Sequence, residues 1–156
     1  MIGERALRAI LLLVAAYHVL TGALALLDSG TFYDEIGLYG SENLHYVGDV
    51  GAFMLAFGLA LGLAAGRPSW RAPLLWLGAL WYGLHAINHA FDTEEARTTA
   101  RGWLDTGLIA LGAALLAWLA RVSERLPDDD APTPGGDVSP GGGGASGPPT
   151  GEGGGP

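Results

Sequence analysis

A chain of 156 residues with 49% hydrophobic residues, 15% charged residues and no cysteine excludes disulfide scaffolds and zinc–thiolate sites. Its formal charge of −8, with eight arginines and no lysine, leaves no basic surface to neutralise phosphates, so nucleic-acid binding is excluded too. Residues 127–156 hold 11 of the glycines and 7 of the prolines, with five acids and no base, and read as a disordered cytoplasmic tail. What remains, residues 1–126, is too apolar and too thin in charge for a soluble domain, where about a quarter of residues are charged.

Crossing about 30 Å of hydrocarbon takes about 20 helical residues. Four stretches approach that length: residues 9–27, 44–65, 73–91 and 103–120. None carries a charged residue in its middle third, and segments such as Ile10 to Ala16 and Leu108 to Leu119 are apolar all round, whereas a soluble four-helix bundle needs a charged face on each helix. The expected fold is an all-α membrane protein, four transmembrane helices in an up-down bundle followed by the Gly/Pro-rich tail.

In the first stretch, Arg5 and Arg8 followed by Ala23-Leu24-Ala25 resemble a cleavable signal peptide. The apolar run of 19 residues exceeds the usual length of about 7–15, and an uncut anchor is expected. Along the second stretch Gly58, Gly62 and Gly66 recur every four residues. Such a stripe allows close helix approach, either within the bundle or to another membrane protein or a second copy of the chain.

Arg5, Arg8, Arg67, Arg71, Arg121 and Arg125 flank one side of the spans. Arg97 and Arg101 lie on the other and share their loop with Asp92, Glu94 and Glu95. The positive-inside rule makes both termini cytoplasmic and the 28–43 and 92–102 loops external. Trp70, Trp76 and Trp118 near the inner boundary, and Tyr33, Tyr39, Tyr46 and Trp103 near the outer, agree with this placement.

Polar side chains inside a membrane need a reason. Here they are His18, His45, Asp49, His85, Asn88, His89, Asp92 and Asp105, with Tyr17, Thr21, Tyr82 and Thr106 nearby. At about 1.5 Å per residue, His85 lies about 9 Å and His89 about 3 Å below the outer end of the third span. The other ionisable groups also fall in the outer half.

His45 and Asp49 are four apart, as are His85 and His89, so each pair shares a helix face. Closing the bundle brings these faces together. A divalent metal (Zn, Fe, Mn or Cu) held by His45, Asp49, His85, His89 and Asp92 is one reading. Haem ligation with help from His18 is another. The structural alternatives are an interfacial His45, Asp92 capping a short loop helix, Asp105 capping the fourth span, and His18 bonded across to Asp49.

The run Gly37-Leu38-Tyr39 to Asp49, then Gly51-Ala52-Phe53-Met54-Leu55-Ala56-Phe57-Gly58-Leu59 leading to Ala64-Ala65-Gly66-Arg67 and a short arginine-bearing turn, resembles small bacterial membrane proteins of the DoxX-like kind. The resemblance extends over about the first 120 residues. It implies a four-helix bundle and an accessory role in membrane redox complexes, and it transfers no catalytic residue. The stripe His85-x-x-Asn88-His89-x-x-Asp92 departs from the pattern.

The arginine-only, Gly/Ala/Leu-heavy composition points to a GC-rich bacterial genome and hence to a multi-pass protein of the bacterial plasma membrane. The expectation is an accessory or scaffold subunit with a polar pocket in the outer half of the bundle. A metal- or haem-dependent oxidoreductase or hydrolase and an oligomeric transport or proton-relay element are the alternatives.

Overall fold

The computed structural model describes residues 2–37 and 39–126; the expectation of a disordered tail at 127–156 lies outside them. The described residues are helical: α1 (Glu4–Leu27), α2 (Ser29–Glu35), α3 (Leu44–Ala65), α4 (Pro68–Phe91), a single 3-10 turn (Thr93–Glu95) and α5 (Thr99–Ser123).

Local chemistry sets the boundaries. Asp28 ends α1 and accepts from the Thr31 N–H at 3.2 Å, which starts the short α2. Asn43 caps α3 by accepting from the Tyr46 N–H at 3.1 Å, and Gly66 closes it. Pro68 stands in the first turn of α4, where its missing N–H has no helical partner to lose. Thr98 caps α5 through the Arg101 N–H at 3.2 Å. Two expectations change here. The third helix starts five residues before Pro73 and the fourth at Thr99, and Asp105 is not the cap of the fourth, because Thr98 already serves.

The long helices run up and down in two tight pairs, α1 with α3 and α4 with α5, joined by a thinner contact between α3 and α4. The first pair closes on glycine. A Cβ at Gly58 would meet the Val19 nitrogen at 2.7 Å and the Ala15 oxygen at 2.9 Å. Gly51 and Gly22 interlock the same way, Gly51 against the backbone of Ala25 and Leu26 and Gly22 against that of Leu55. Of the stripe read from the sequence, Gly58 faces α1, Gly62 borders a shallow apolar groove between α1 and α3, and Gly66 is the C-cap of α3. The second pair is close where a Cβ at Gly112 would meet the Tyr82 ring at 2.8 Å, and Gly102 of α5 lies on the backbone of Thr93 in the 3-10 turn.

The core sits towards the end of the bundle that holds residue 4, around fully buried Leu7, Leu11, Leu61, Leu75 and Leu119. Beside it lies Arg71, 3% exposed. The sequence reading placed Arg71 as a loop charge, but because α4 begins at Pro68 it falls in the helix. Its guanidinium donates to the carbonyls of Ala64 (3.0 Å) and Ala65 (2.9 Å) and to the Glu4 carboxylate (2.8 Å). It thereby satisfies carbonyls that the end of α3 leaves without helical partners.

Leu13, Leu20, Leu84 and Leu111 are each at least 66% exposed and belong to a wide belt of large apolar side chains on the outer surface of the helices. A surface of this kind marks contact with lipid or protein. Three helices, α1, α3 and α5, are long and apolar enough to cross a membrane. The 24 residues of α4 reach about 36 Å at 1.5 Å per residue, but its Trp, Tyr, His and Asn content makes it less apolar.

Candidate functional site

At the end of the bundle away from Arg71, the last two turns of α4, the first turns of α5, the start of α3 and the loop after α2 surround a cavity of about 520 Å³. The loop is pinned across the top. Tyr39 bridges to Ala96, the Gly40 N–H donates to the Glu95 carbonyl at 3.1 Å, and the Tyr39 hydroxyl donates to the Gly102 carbonyl at 3.3 Å. Gly40 takes φ +60°, the left-handed conformation that lets the chain turn down into α3.

His85, Asn88, His89 and Asp92 all line this cavity, as their spacing of three and four residues along α4 dictates. The His85 and His89 rings lie 4.4 Å apart, and His89 packs edge-on against Tyr39 at 4.2 Å. The His89 Nδ1 atom is buried and has no hydrogen-bond partner. Asn88 donates to the Asp92 carboxylate at 3.2 Å, so Asp92 is tied to its own helix and does not cap the 3-10 turn through its side chain.

From α5, Arg101 donates through Nε to both oxygens of Asp105, at 2.8 and 2.9 Å. Trp81 and Tyr82 of α4 and Tyr46 of α3 complete much of the wall. Burial, reinforced by the nearby Asp105 carboxylate, raises the Tyr39 hydroxyl above its ordinary value of 10.0, so it is a neutral donor throughout the physiological range.

Other residues singled out from the sequence lie elsewhere. His45 and Asp49 do pair with each other at 3.7 Å, but their side chains are 91% and 68% exposed and neither lines the cavity. The reason is rotation. Gly51 and Gly58 must face α1, and at about 100° per residue this turns Asp49 to nearly the opposite side, while Val50 and Met54 take the cavity face.

His18 is 2% exposed, enclosed by the rings of Phe57, Tyr82 and Tyr17 at 5.0, 5.7 and 5.2 Å, and does not reach Asp49. Its Nδ1 lies 2.8 Å from the Val14 carbonyl and its Nε2 2.9 Å from the Tyr82 hydroxyl. The carbonyl can only accept, so Nδ1 carries the proton and Tyr82 donates to Nε2. Both nitrogens are engaged, and His18 offers no lone pair to a haem or metal.

The five residues read as a metal set are therefore divided, with His85, His89 and Asp92 at the cavity and His45 and Asp49 on the outer surface. Among the described residues no three His, Asp or Glu side chains are grouped so as to hold a metal ion.

Arg101, Tyr39 and Glu95 line the cavity although the sequence did not single them out for it, while Asp105, expected in the outer polar cluster with a helix cap as the alternative, does line it. An opposite-charge pair at i and i+4 opening an apolar segment was the available signal for Arg101 and Asp105. Tyr39 carried none, because its position depends on a loop fold. No family model, no curated protein and no solved structure matches the chain.

Proposed function

We propose that this chain is a four-span bacterial plasma-membrane protein with both termini cytoplasmic, serving as an accessory subunit of DoxX-like character whose task is to hold a ligand in the outer half of the bundle. The observation that carries this reading is the cavity of about 520 Å³, which has the size and mixed lining of a small-molecule site. It is walled by aromatic rings and bordered by His85 and His89. The engaged ends of the Arg71 side chain favour binding over conduction, since they plug the opposite half of the bundle with core leucines and a satisfied ion pair. A fourth crossing by α4 is supported by its length and by its antiparallel packing on α5.

The absence of native cysteine makes the topology directly testable. Single cysteines replacing Ser41, Thr98 and Ser123 are exposed to a membrane-impermeant maleimide on intact cells. Labelling at Ser41→Cys and Thr98→Cys but not at Ser123→Cys is expected. If α4 does not cross, Thr98→Cys becomes inaccessible and Ser123→Cys labels instead, and the four-span reading fails. Elemental analysis and a visible spectrum of the purified protein test the metal and haem alternatives, which now rest on His85 and His89.

A further inference from the structure

The titratable side chains lining the cavity are unevenly matched. Asp92, Glu95 and Asp105 supply three carboxylates against one guanidinium, that of Arg101, which is already engaged by both oxygens of Asp105. The excess is negative. Around it stand electron-rich rings, with Tyr39, Tyr46, Trp81 and Tyr82 presenting faces and edges to the same space. Ring faces attract cations, and most strongly where water is partly excluded.

A metal ion is a poor match for this lining. Its acids and imidazoles are spread over a volume suited to an organic molecule, and no three of them are grouped as ligands among the described residues. An anion would face the carboxylates with only a committed arginine in return. A neutral apolar molecule would leave the charges of Asp92 and Glu95 without a counter-ion. An ammonium group on an apolar body matches the lining. Its N–H bonds go to carboxylate oxygens, its charge lies against the rings, and its body lies against Val50, Met54 and Leu108.

Resting on the ligand-pocket reading above, we propose that the cavity binds an organic ammonium, with Asp92 and Glu95 supplying the charge recognition and Tyr39 and Trp81 the rings. The ammonium can belong to a free hydrophobic amine or to the ethanolamine headgroup of a phospholipid, since both present the same group on an apolar body.

The test uses the full chain in nanodiscs of phosphatidylcholine at neutral pH and three probes that share one body: 4-phenylbutylamine, 4-phenylbutanol and 4-phenylbutyrate. Binding is followed by equilibrium dialysis and by the change in tryptophan fluorescence, with empty nanodiscs subtracted. Saturable binding of the amine about tenfold or more tighter than the alcohol is expected, which is the scale of one well-placed charge interaction, with the carboxylate weakest.

Asp92→Asn and Glu95→Gln, both at the rim and outside the packed core, should each weaken the amine severalfold and leave the alcohol unchanged. Adding phosphatidylethanolamine to the nanodiscs separates the sources. Competition against the amine assigns the site to the headgroup, and unchanged amine binding assigns it to a free ligand. Equal binding of all three probes, or preference for the carboxylate, overturns the ammonium assignment while leaving a ligand pocket in place. No saturable binding of any probe overturns both.

Discussion

The two ends of this bundle treat charge in opposite ways. At one end Arg71 is buried with its donors placed, two on the last carbonyls of α3 and the rest on Glu4. At the other end the charged groups line a space, and one buried nitrogen, His89 Nδ1, has nothing to bond. A satisfied buried ion holds helices in register; a buried nitrogen left without a partner beside a cavity is a cost that the fold carries. The difference marks one end as a clamp and the other as a receptor.

The clamp is the place to expect the largest effect. Arg71→Ala removes a donor from the Ala64 and Ala65 carbonyls, of which Ala64 keeps the Arg67 N–H at 3.1 Å, and frees the α1 terminus from α4, and a loss of about 3 kcal/mol in stability follows, as when one partner of a buried pair is removed. Thermal unfolding in detergent measures it. Glu4→Gln should cost far less, since Glu4 is half exposed and both carbonyl bonds of Arg71 survive. Equal losses in the two variants would mean that the arginine acts through Glu4 and not through the helix end.

Next in size is the glycine contact that holds α1 to α3. Gly58→Val places atoms where the Val19 and Ala15 backbone already stands and should cost about 2 kcal/mol through overpacking. Gly62→Ala, whose new Cβ meets only the Ala15 Cβ at 3.9 Å, should be neutral or slightly stabilising. The pair sharpens the comparison because both glycines lie on the same stripe and only one is at the contact.

At the receptor end the sign reverses. His89→Phe keeps a ring against Tyr39 and removes the unbonded Nδ1, so the protein should gain up to about 1 kcal/mol in stability. A destabilised variant would show that His89 is a structural residue with a partner of its own.

How much of this could be read from the sequence follows the same division. Long apolar segments and the four-residue spacing of His85, His89 and their neighbours were legible because helix periodicity alone puts them on one face. The rotation of α3 was not. Gly58, Gly62 and Gly66 looked like one interface, yet Gly51 and Gly22 complete the actual contact, and it is this contact that turns His45 and Asp49 outward. Nor could Arg71 be recognised as buried, because that depends on α4 beginning at Pro68 and not at Pro73. The cavity itself depends on the 36–43 loop returning over the helix ends through Tyr39 and Gly40, a non-local pairing that no local pattern announces.

That pairing supplies the smallest expected effect. The Tyr39 hydroxyl is shifted upward first by burial and then by Asp105, with Arg101 working against the shift. A group held neutral in the folded chain contributes stability that is fully present below the unfolded value, near 10.0, and lost as pH rises through the higher folded value. Stability of the native protein should therefore decline above pH 10 more steeply than that of Tyr39→Phe, which has no proton to lose there and gives up only the long 3.3 Å bond to Gly102 at neutral pH. Arg101→Gln removes the one group that favours the phenolate, and should extend this decline to higher pH, because its onset is set by the unfolded value and its end by the folded one. A decline that ends no later than in the native protein would mean that Tyr39 feels no net negative field once Arg101 is gone, and the negative field assigned to the cavity would fail.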